Sequence, residues 1–133
     1  MGFGIRRSKA DALFSQYIRE RDGWVCQRCQ RQHEKNKNTL DNSHYWGRGW
    51  KSTRFDPENC DSLCKIPCHQ LWGGEDREFY KAFKIKQLGK EGFDNLEIRA
   101  KTPKKVNEKE IEFALKIELD KIKSNKKVYK DYK

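Results

Sequence analysis

Four of the five cysteines form two closely spaced pairs, and this spacing constrains the fold of the 133-residue chain more than any other feature. The first pair is Cys26-Gln-Arg-Cys29 and the second is Cys64-Lys-Ile-Pro-Cys68. Two such pairs, a few tens of residues apart, are typical of tetrahedral zinc sites in which four thiolates bind one ion at about 2.3 Å. We therefore predict that these four cysteines hold a structural zinc ion.

Cys60 competes with this assignment, because its spacing to Cys64 equals that from Cys64 to Cys68. We prefer Cys68, since Pro67 favours a helix start beside it. The odd number of cysteines argues against a closed disulfide framework, and the other alternative is that they are small buried hydrophobic residues. Zinc would matter for folding, because only 35% of the residues are hydrophobic and 38% are charged.

The net charge of +10 and the isoelectric point of about 9.4 favour a polyanionic partner. Nucleic acid is the first expectation and an anionic membrane surface the second. No apolar run approaches the roughly 20 residues that span a membrane. The N-terminus lacks the apolar core of a signal peptide, so we expect a cytoplasmic location.

The length is typical of a single domain. Within 1–133 we distinguish a basic N-terminal segment with a helix (1–23), a zinc-stapled core (24–74), and C-terminal helices with a basic tail (75–133). Capping residues and apolar periodicity predict the elements. They are a helix from Ser8 to Gly23, strands at 39–45 and near 60–63, a short helix at 68–72, helices on either side of Gly89, and a last helix after Asn107.

His44, Asn59 and His69 follow one another between and beside the cysteine pairs. This order resembles the HNH endonucleases of the ββα-metal, or His-Me finger, class. The stretches FSQYIRERDGWVCQRC, SHY, TRFDPENCDSLC and CHQLW resemble the phage-type branch that includes the NinG and Rap recombination nucleases, over roughly Phe14 to Leu88. The resemblance implies an α+β fold with a small ββα-metal HNH core, stapled here by the four-cysteine zinc site and surrounded by several helices.

The resemblance also implies a function. The protein would be a metal-dependent DNA endonuclease that hydrolyses phosphodiester bonds and nicks DNA with little sequence specificity. The protein would be encoded by a phage and would act in the host cytoplasm. It would serve recombination, branched-DNA processing or packaging. His44 would be the general base, since a neutral imidazole accepts a proton from water at neutral pH. His69 would bind the catalytic ion, and Asn59 would hold the geometry of the site.

Two positions depart from the family pattern. Many HNH proteins carry Asp or His immediately before the base, where this chain has Ser43, a poor ligand. We expect Asp41 to complete the catalytic metal site with His69. Some relatives have a second histidine four residues after the metal-binding one, and this chain has Gly73 there. Such an open, hydrated site favours Mg²⁺ or Mn²⁺ over tightly held zinc, with other divalent ions as alternatives.

Cations near the candidate base are expected to contact DNA. We expect Arg48, Lys51 and Arg54 to contact DNA phosphates. The planar guanidinium of Arg54 can donate two parallel hydrogen bonds to one phosphate. The expected partners are duplex DNA, which can be branched, and a phage packaging or recombination protein. The alternative for the loop around Arg48 and Lys51 is ordinary solvated surface. The alternatives for the protein as a whole are a non-catalytic zinc-stabilised DNA-binding module and a packaging accessory factor. We expect His33, in a polar loop, to lie on the surface.

Overall fold

In the computed structural model, which describes residues 6–131 and their side chains as far as 125, a two-stranded sheet packs between helices. Turns of 3₁₀ helix occur at Lys51–Thr53 and Pro57–Asn59, and a wide turn at Lys65–His69. The regular elements are helix α1 (Lys9–Arg21), strands β1 (Leu40–His44) and β2 (Cys60–Cys64), and helices α2 (Gln70–Gly73), α3 (Arg77–Lys101) and α4 (Glu108–Asp131). The predicted combination of helices with a small sheet is confirmed.

Helix α1 begins after the predicted cap Ser8 and ends at Arg21, two residues before the predicted stop at Gly23. The Ser8 hydroxyl accepts a hydrogen bond from the Asp11 amide at 3.2 Å, and the Asp11 carboxylate accepts one from the Ser8 amide at 2.8 Å. This reciprocal capping satisfies two amides that have no partner within the helix. After Arg21 the chain turns through Gly23, whose φ of 66° is a left-handed conformation that glycine adopts without strain.

Strands β1 and β2 are antiparallel, with Leu40 opposite Cys64 and His44 opposite Cys60. One face of this sheet packs against α1, which in turn contacts α4. The other face packs against aromatic residues of α3. All five residues of β2 are buried, so this strand lies between the two helical layers. Residues 45–59 connect the two strands and include both 3₁₀ turns; this connection is called the β1–β2 loop.

The later helices differ from the predicted boundaries in two places. Helix α2 begins at Gln70 rather than Cys68, because the preceding residues form the wide turn, in which Ile66 is extended. Helix α3 departs from helical dihedral angles at Gly89 (φ 76°, ψ 161°) and resumes at once. The break at Gly89 is therefore confirmed, whereas no loop separates the two predicted helices.

A buried ion pair joins α3 to β2. Lys84 and Asp61 are both fully buried, and the Lys84 ammonium lies 3.1 Å from the Asp61 carboxylate. That ammonium also donates to the Glu58 carbonyl and to the Gln87 side chain, each at 2.6 Å. The carboxylate accepts further hydrogen bonds from Tyr80 and Gln87. The pair is thus surrounded by hydrogen bonds, as buried charges require.

Helix α4 starts after Asn107, whose side-chain oxygen accepts hydrogen bonds from the amides of Lys109 at 3.0 Å and Glu110 at 3.2 Å. Its buried residues Leu115 and Leu119 belong to the stripe that periodicity predicts. None of the helices in the described part of the chain is long and apolar enough to cross a membrane.

Candidate metal centre and adjoining groove

The sulfur atoms of the predicted ligands Cys26, Cys29, Cys64 and Cys68 lie within 4.8 Å of one another. Four sulfurs at about 2.3 Å from one tetrahedral ion would be about 3.8 Å apart. The cysteines are therefore close enough to bind a metal ion together. The competing Cys60 lies outside this cluster and is buried with apolar side chains of α1 and α4. Cys68 and not Cys60 therefore joins the other three cysteines.

Backbone amides orient the first cysteine pair. The Cys26 sulfur accepts hydrogen bonds from the amides of Cys29 at 3.5 Å and Cys64 at 3.3 Å. The turn closes where the Cys26 amide donates to the Arg31 carbonyl at 3.0 Å, after Gln30 takes a left-handed φ of 64°. Amide donors of this kind position a thiolate ligand and stabilise its negative charge.

Metal binding by this cluster is linked to the loss of protons from its thiols. Burial would raise the pKa of Cys29, but hydrogen bonds from the Arg31 backbone and from the other cysteines lower it to about 7. Burial and the neighbouring sulfurs raise the pKa of Cys64. The Cys64 sulfur is therefore protonated at neutral pH without a cation, and a bound cation would favour its thiolate form.

The expectation that His33 lies on the surface is wrong. Its side chain is buried, with Nδ1 at 2.8 Å from the Thr39 hydroxyl and Nε2 at 3.1 Å from the Cys64 sulfur. Burial lowers the pKa of His33, so the ring is neutral and can donate from Nε2 to the sulfur while Nδ1 accepts from Thr39. His33 was predicted to lie on the surface because its neighbours in the sequence are polar. A bridge between Val25 and Gln32 instead folds the loop so that the His33 ring contacts the Cys64 sulfur.

A groove of about 640 Å³ adjoins the cysteine cluster and is bordered by Asp41, His44 and His69. His69 directly follows Cys68, and Lys65, which also lines the groove, directly follows Cys64. The second cysteine pair thereby anchors two groove residues through single peptide bonds. The structure brings together all the residues that were predicted to do the chemistry, except Asn59.

His44 is held in one orientation at the end of β1. Its Nε2 lies 2.9 Å from the Arg54 carbonyl, and its ring packs against Phe14. Since a carbonyl only accepts, Nε2 carries the proton in the neutral ring and Nδ1 is the nitrogen that can take up another. Burial, opposed by that hydrogen bond, lowers the pKa of His44 to about 4. The ring is therefore neutral at pH 7, as a general base must be.

Asp41 and His69 form a pair across the groove from β1 to the start of α2. His69 Nδ1 lies 2.8 Å from one Asp41 oxygen, and the Lys65 ammonium lies 3.2 Å from the other. The hydrogen bond to His69 is the main cause that lowers the pKa of Asp41, so this carboxylate is ionised. Asp41 and His69 thus lie in direct contact, and their joint binding of a catalytic metal ion stays a prediction.

Asn59 does not line the groove, but its hydrogen bonds hold two parts of the β1–β2 loop together. Its side-chain oxygen accepts from the Trp46 amide at 2.8 Å, and its nitrogen donates to the carbonyls of Trp46 at 2.8 Å and Thr53 at 3.1 Å. The side chain is fully buried. Because Thr53 precedes Arg54, Asn59 fixes the segment whose carbonyl holds His44. This position suits the predicted role of maintaining the geometry.

The three predicted DNA contacts lie in different surroundings. The Arg54 guanidinium is only 11% exposed and pairs with Asp11, with Nε at 2.9 Å from the carboxylate. Its side chain is thus committed within the protein, and its link to the groove is its carbonyl. Arg48 lines the groove, 3.6 Å from the same carboxylate. Lys51 is exposed but borders a different groove beside the start of α4. DNA contacts by all three stay predictions.

Sequence reasoning missed the α1 side of the groove. Asp11, Ser15 and Arg19 line it and recur every four residues along one helical face. The signal was present, because this polar stripe runs beside the apolar one. It was passed over in favour of the apolar residues that predict the core.

No protein-family model matches the chain, and neither a curated protein nor a solved structure matches it. The geometry of the cysteine cluster and of the groove therefore carries the functional argument.

Proposed function

We propose that this protein is a metal-dependent DNA endonuclease that nicks phosphodiester bonds in the groove beside the cysteine cluster. One observation carries the proposal. A neutral histidine with an oriented ring, His44, borders the same groove as the carboxylate–imidazole pair of Asp41 and His69. A general base next to a pair of oxygen and nitrogen donors is what metal-assisted hydrolysis requires.

The residues of the chain account for the proton transfer. His44 accepts a proton at Nδ1 from a water molecule, whose oxygen attacks phosphorus while the bond to the 3′ oxygen breaks. The departing 3′ oxygen would take up a proton from solvent water, so the products would carry a 5′-phosphate and a 3′-hydroxyl. The Arg54 carbonyl, held by the neighbouring Asn59 contacts, accepts from Nε2 and stabilises the imidazolium as it forms. This division of roles resembles the base and its orienting partner in other hydrolases.

The donors Asp41 and His69 fit a hydrated divalent ion. An octahedral ion about 2.1 Å from each of two adjacent ligands needs those ligands about 3 Å apart, and the two atoms are 2.8 Å apart. With only two donors from the described residues, most positions would be filled by water, which favours Mg²⁺ or Mn²⁺. Such an ion would stabilise the negative charge that develops on the phosphate and the departing oxygen.

We further propose that zinc is the ion of the cysteine cluster. Four thiolates with amide and imidazole donors around them form a closed site, as structural zinc prefers. Zinc there would hold His69 and Lys65 in place without taking part in the reaction.

The test is cleavage of supercoiled plasmid with Mg²⁺, Mn²⁺ or Ni²⁺, using wild type, His44→Ala and the control Lys86→Ala, an exposed residue of α3. Wild type should convert the plasmid to open circle first and to linear later, because one groove cuts one strand per encounter. His44→Ala should lose at least about a hundredfold in rate while still binding DNA. Near-normal cleavage by His44→Ala, or no cleavage by wild type with any ion, contradicts the proposal.

A second candidate is a zinc-stabilised DNA-binding module without catalysis, alone or beside a phage packaging motor. It is favoured by the contacts of Asp41, whose two oxygens are already paired with His69 and Lys65. In that case the protein would bind DNA with strong salt dependence, and no divalent ion or candidate partner would elicit nicking.

A further inference from the structure

Arg19 occupies a place in the groove that no role has yet been given. It lies on the same face of α1 as Asp11 and Ser15 and lines the groove with His44 and Asp41. Its guanidinium carbon lies 5.4 Å from the centre of the Trp24 ring. Stacking on an aromatic face restrains the orientation of a guanidinium and leaves its N–H edges available.

The hydrogen-bonding state of Arg19 contrasts with that of its neighbour Arg21. The Arg21 guanidinium donates to the Asp22 carboxylate and to the carbonyls of Pro57 and Cys60, the last two at 2.7 Å. Among the side chains of residues 6–125, by contrast, none forms a hydrogen bond or ion pair with the guanidinium of Arg19, although the Arg19 side chain is partly buried. A partly desolvated cation with five unused donors is unfavourable unless an anion completes the site.

The acids nearby are already committed to other cations. Asp11 is paired with Arg54 and lies near Arg48, while Asp41 is paired with Lys65 and His69. Besides Arg19, the groove is lined by the cations Arg7, Arg48 and Lys65 and by these two carboxylates, so cations outnumber acids along it. Burial and then the charge of Arg7 lower the pKa of Arg19, and the charge of Asp41 opposes them without cancelling them. An incoming anion would find an attractive potential there.

We infer that Arg19 is the phosphate-binding residue of the groove, with its guanidinium fork on a backbone phosphate of the DNA strand that passes His44. The inference rests on the proposed function, because it takes DNA as the ligand. Guanidinium matches the two oxygens of a phosphate with two parallel hydrogen bonds. Trp24 holds the fork in place before DNA arrives, so little side-chain freedom is lost on binding.

The experiment measures the affinity of a short fluorescein-labelled DNA duplex by anisotropy over a series of salt concentrations. Zinc is present, and Mg²⁺ and Mn²⁺ are absent. The proteins are wild type, Arg19→Met, Arg19→Lys and the control Lys86→Met, which removes one charge outside the groove. Arg19→Met should weaken binding roughly ten- to a hundredfold, as loss of a charge-assisted hydrogen bond predicts. It should also reduce the slope of log K against log salt by about 0.9.

Arg19→Lys separates charge from geometry. It should keep the salt slope of wild type yet bind a few-fold more weakly, because lysine offers a point charge without the fork. This variant also keeps the inference testable should Arg19→Met fail to fold, which thermal melting would reveal. Equal affinity and slope in wild type and Arg19→Lys would then overturn the bidentate contact.

The outcomes distinguish this inference from the nuclease proposal. Arg19→Met that binds within about twofold of wild type with an unchanged slope overturns the role of Arg19, even if wild type nicks plasmid. Weakened binding by Arg19→Met, in a wild type that never nicks, supports the phosphate contact and removes the nuclease. Arg19-dependent binding to anionic phospholipid vesicles, with DNA binding unchanged, would also overturn the inference.

Discussion

Replacing Lys84 with methionine tests how much the buried ion pair between α3 and β2 contributes to folding. Methionine retains most of the aliphatic stem but removes the ammonium, which contacts Asp61, Gln87 and the Glu58 carbonyl. The Asp61 carboxylate would then be buried without a cation, since it is fully inaccessible to solvent. Tyr80 and Gln87 would continue to donate hydrogen bonds to it.

The size of the effect follows from that environment. Removing one partner of a buried ion pair costs about 3–5 kcal/mol, and the two retained hydrogen bonds place our expectation near the lower figure. A loss of about 3 kcal/mol should lower Tm by roughly 10 °C for a chain of this size. Adding Asp61→Asn to Lys84→Met should recover part of the loss, because the orphaned charge is removed while an amide oxygen still accepts from Tyr80.

Urea unfolding with excess zinc, followed by tryptophan fluorescence, measures these differences if the slope against urea is unchanged. The control is Lys81→Met, an exposed lysine one turn earlier on α3, which should change stability by no more than about 0.5 kcal/mol. A loss below about 1 kcal/mol for Lys84→Met, or a double variant less stable than the single one, would refute the reasoning.

Three further predictions concern the histidines and the cysteines. Because the pKa of His44 is about 4 in the folded protein against about 6.5 when unfolded, protonation favours unfolding. The free energy of unfolding should therefore fall as the pH drops from about 6.5 to about 4. Urea titrations at several pH values should show a smaller fall for His44→Phe, and an equal fall in the two proteins would disprove the prediction. Cys26→Ser should be unfolded or aggregated, and wild type should retain one zinc per chain after dialysis; elemental analysis that finds none in active protein excludes the zinc site. His33→Phe should lower zinc affinity by about ten- to a hundredfold in competition with a chromophoric chelator, and an unchanged affinity would show that its contact with Cys64 is incidental.

Local signals allowed much of the fold to be predicted. The Ser8–Asp11 cap, the break at Gly89 and the cysteine spacing each act over a few residues, and each is reproduced in the structure. The pairing of Asp41 with His69 is a contact across the chain, and it was accessible only through the family resemblance. Asp41 and His69 are brought together because β1 and the turn after β2 meet at the cysteine cluster.

The errors come from contacts that a one-dimensional pattern does not contain. His33 is flanked by polar residues, yet a single bridge turns it toward Cys64. The contact of Arg54 with Asp11 was not foreseen, because this carboxylate is far away in sequence; the predicted contact of Arg54 with a DNA phosphate stays a prediction. Arg19 was overlooked because helix periodicity describes only the apolar face. In each case, the position of a charged or polar side chain depends on which long-range partner the tertiary fold supplies.

The hydrogen bonds of Asn59 divide the β1–β2 loop into fixed parts and a stretch whose sequence can vary. Its side chain binds the backbone at Trp46 and at Thr53, so both ends of the intervening stretch are fixed independently of what lies between them. The entropy of closing a loop grows only slowly with its length. Residues 47–52, which include the groove residue Arg48, can therefore lengthen at little entropic cost while Trp46 and Thr53 stay fixed. Insertions there would alter one wall of the groove and leave the contact between His44 and the Arg54 carbonyl in place.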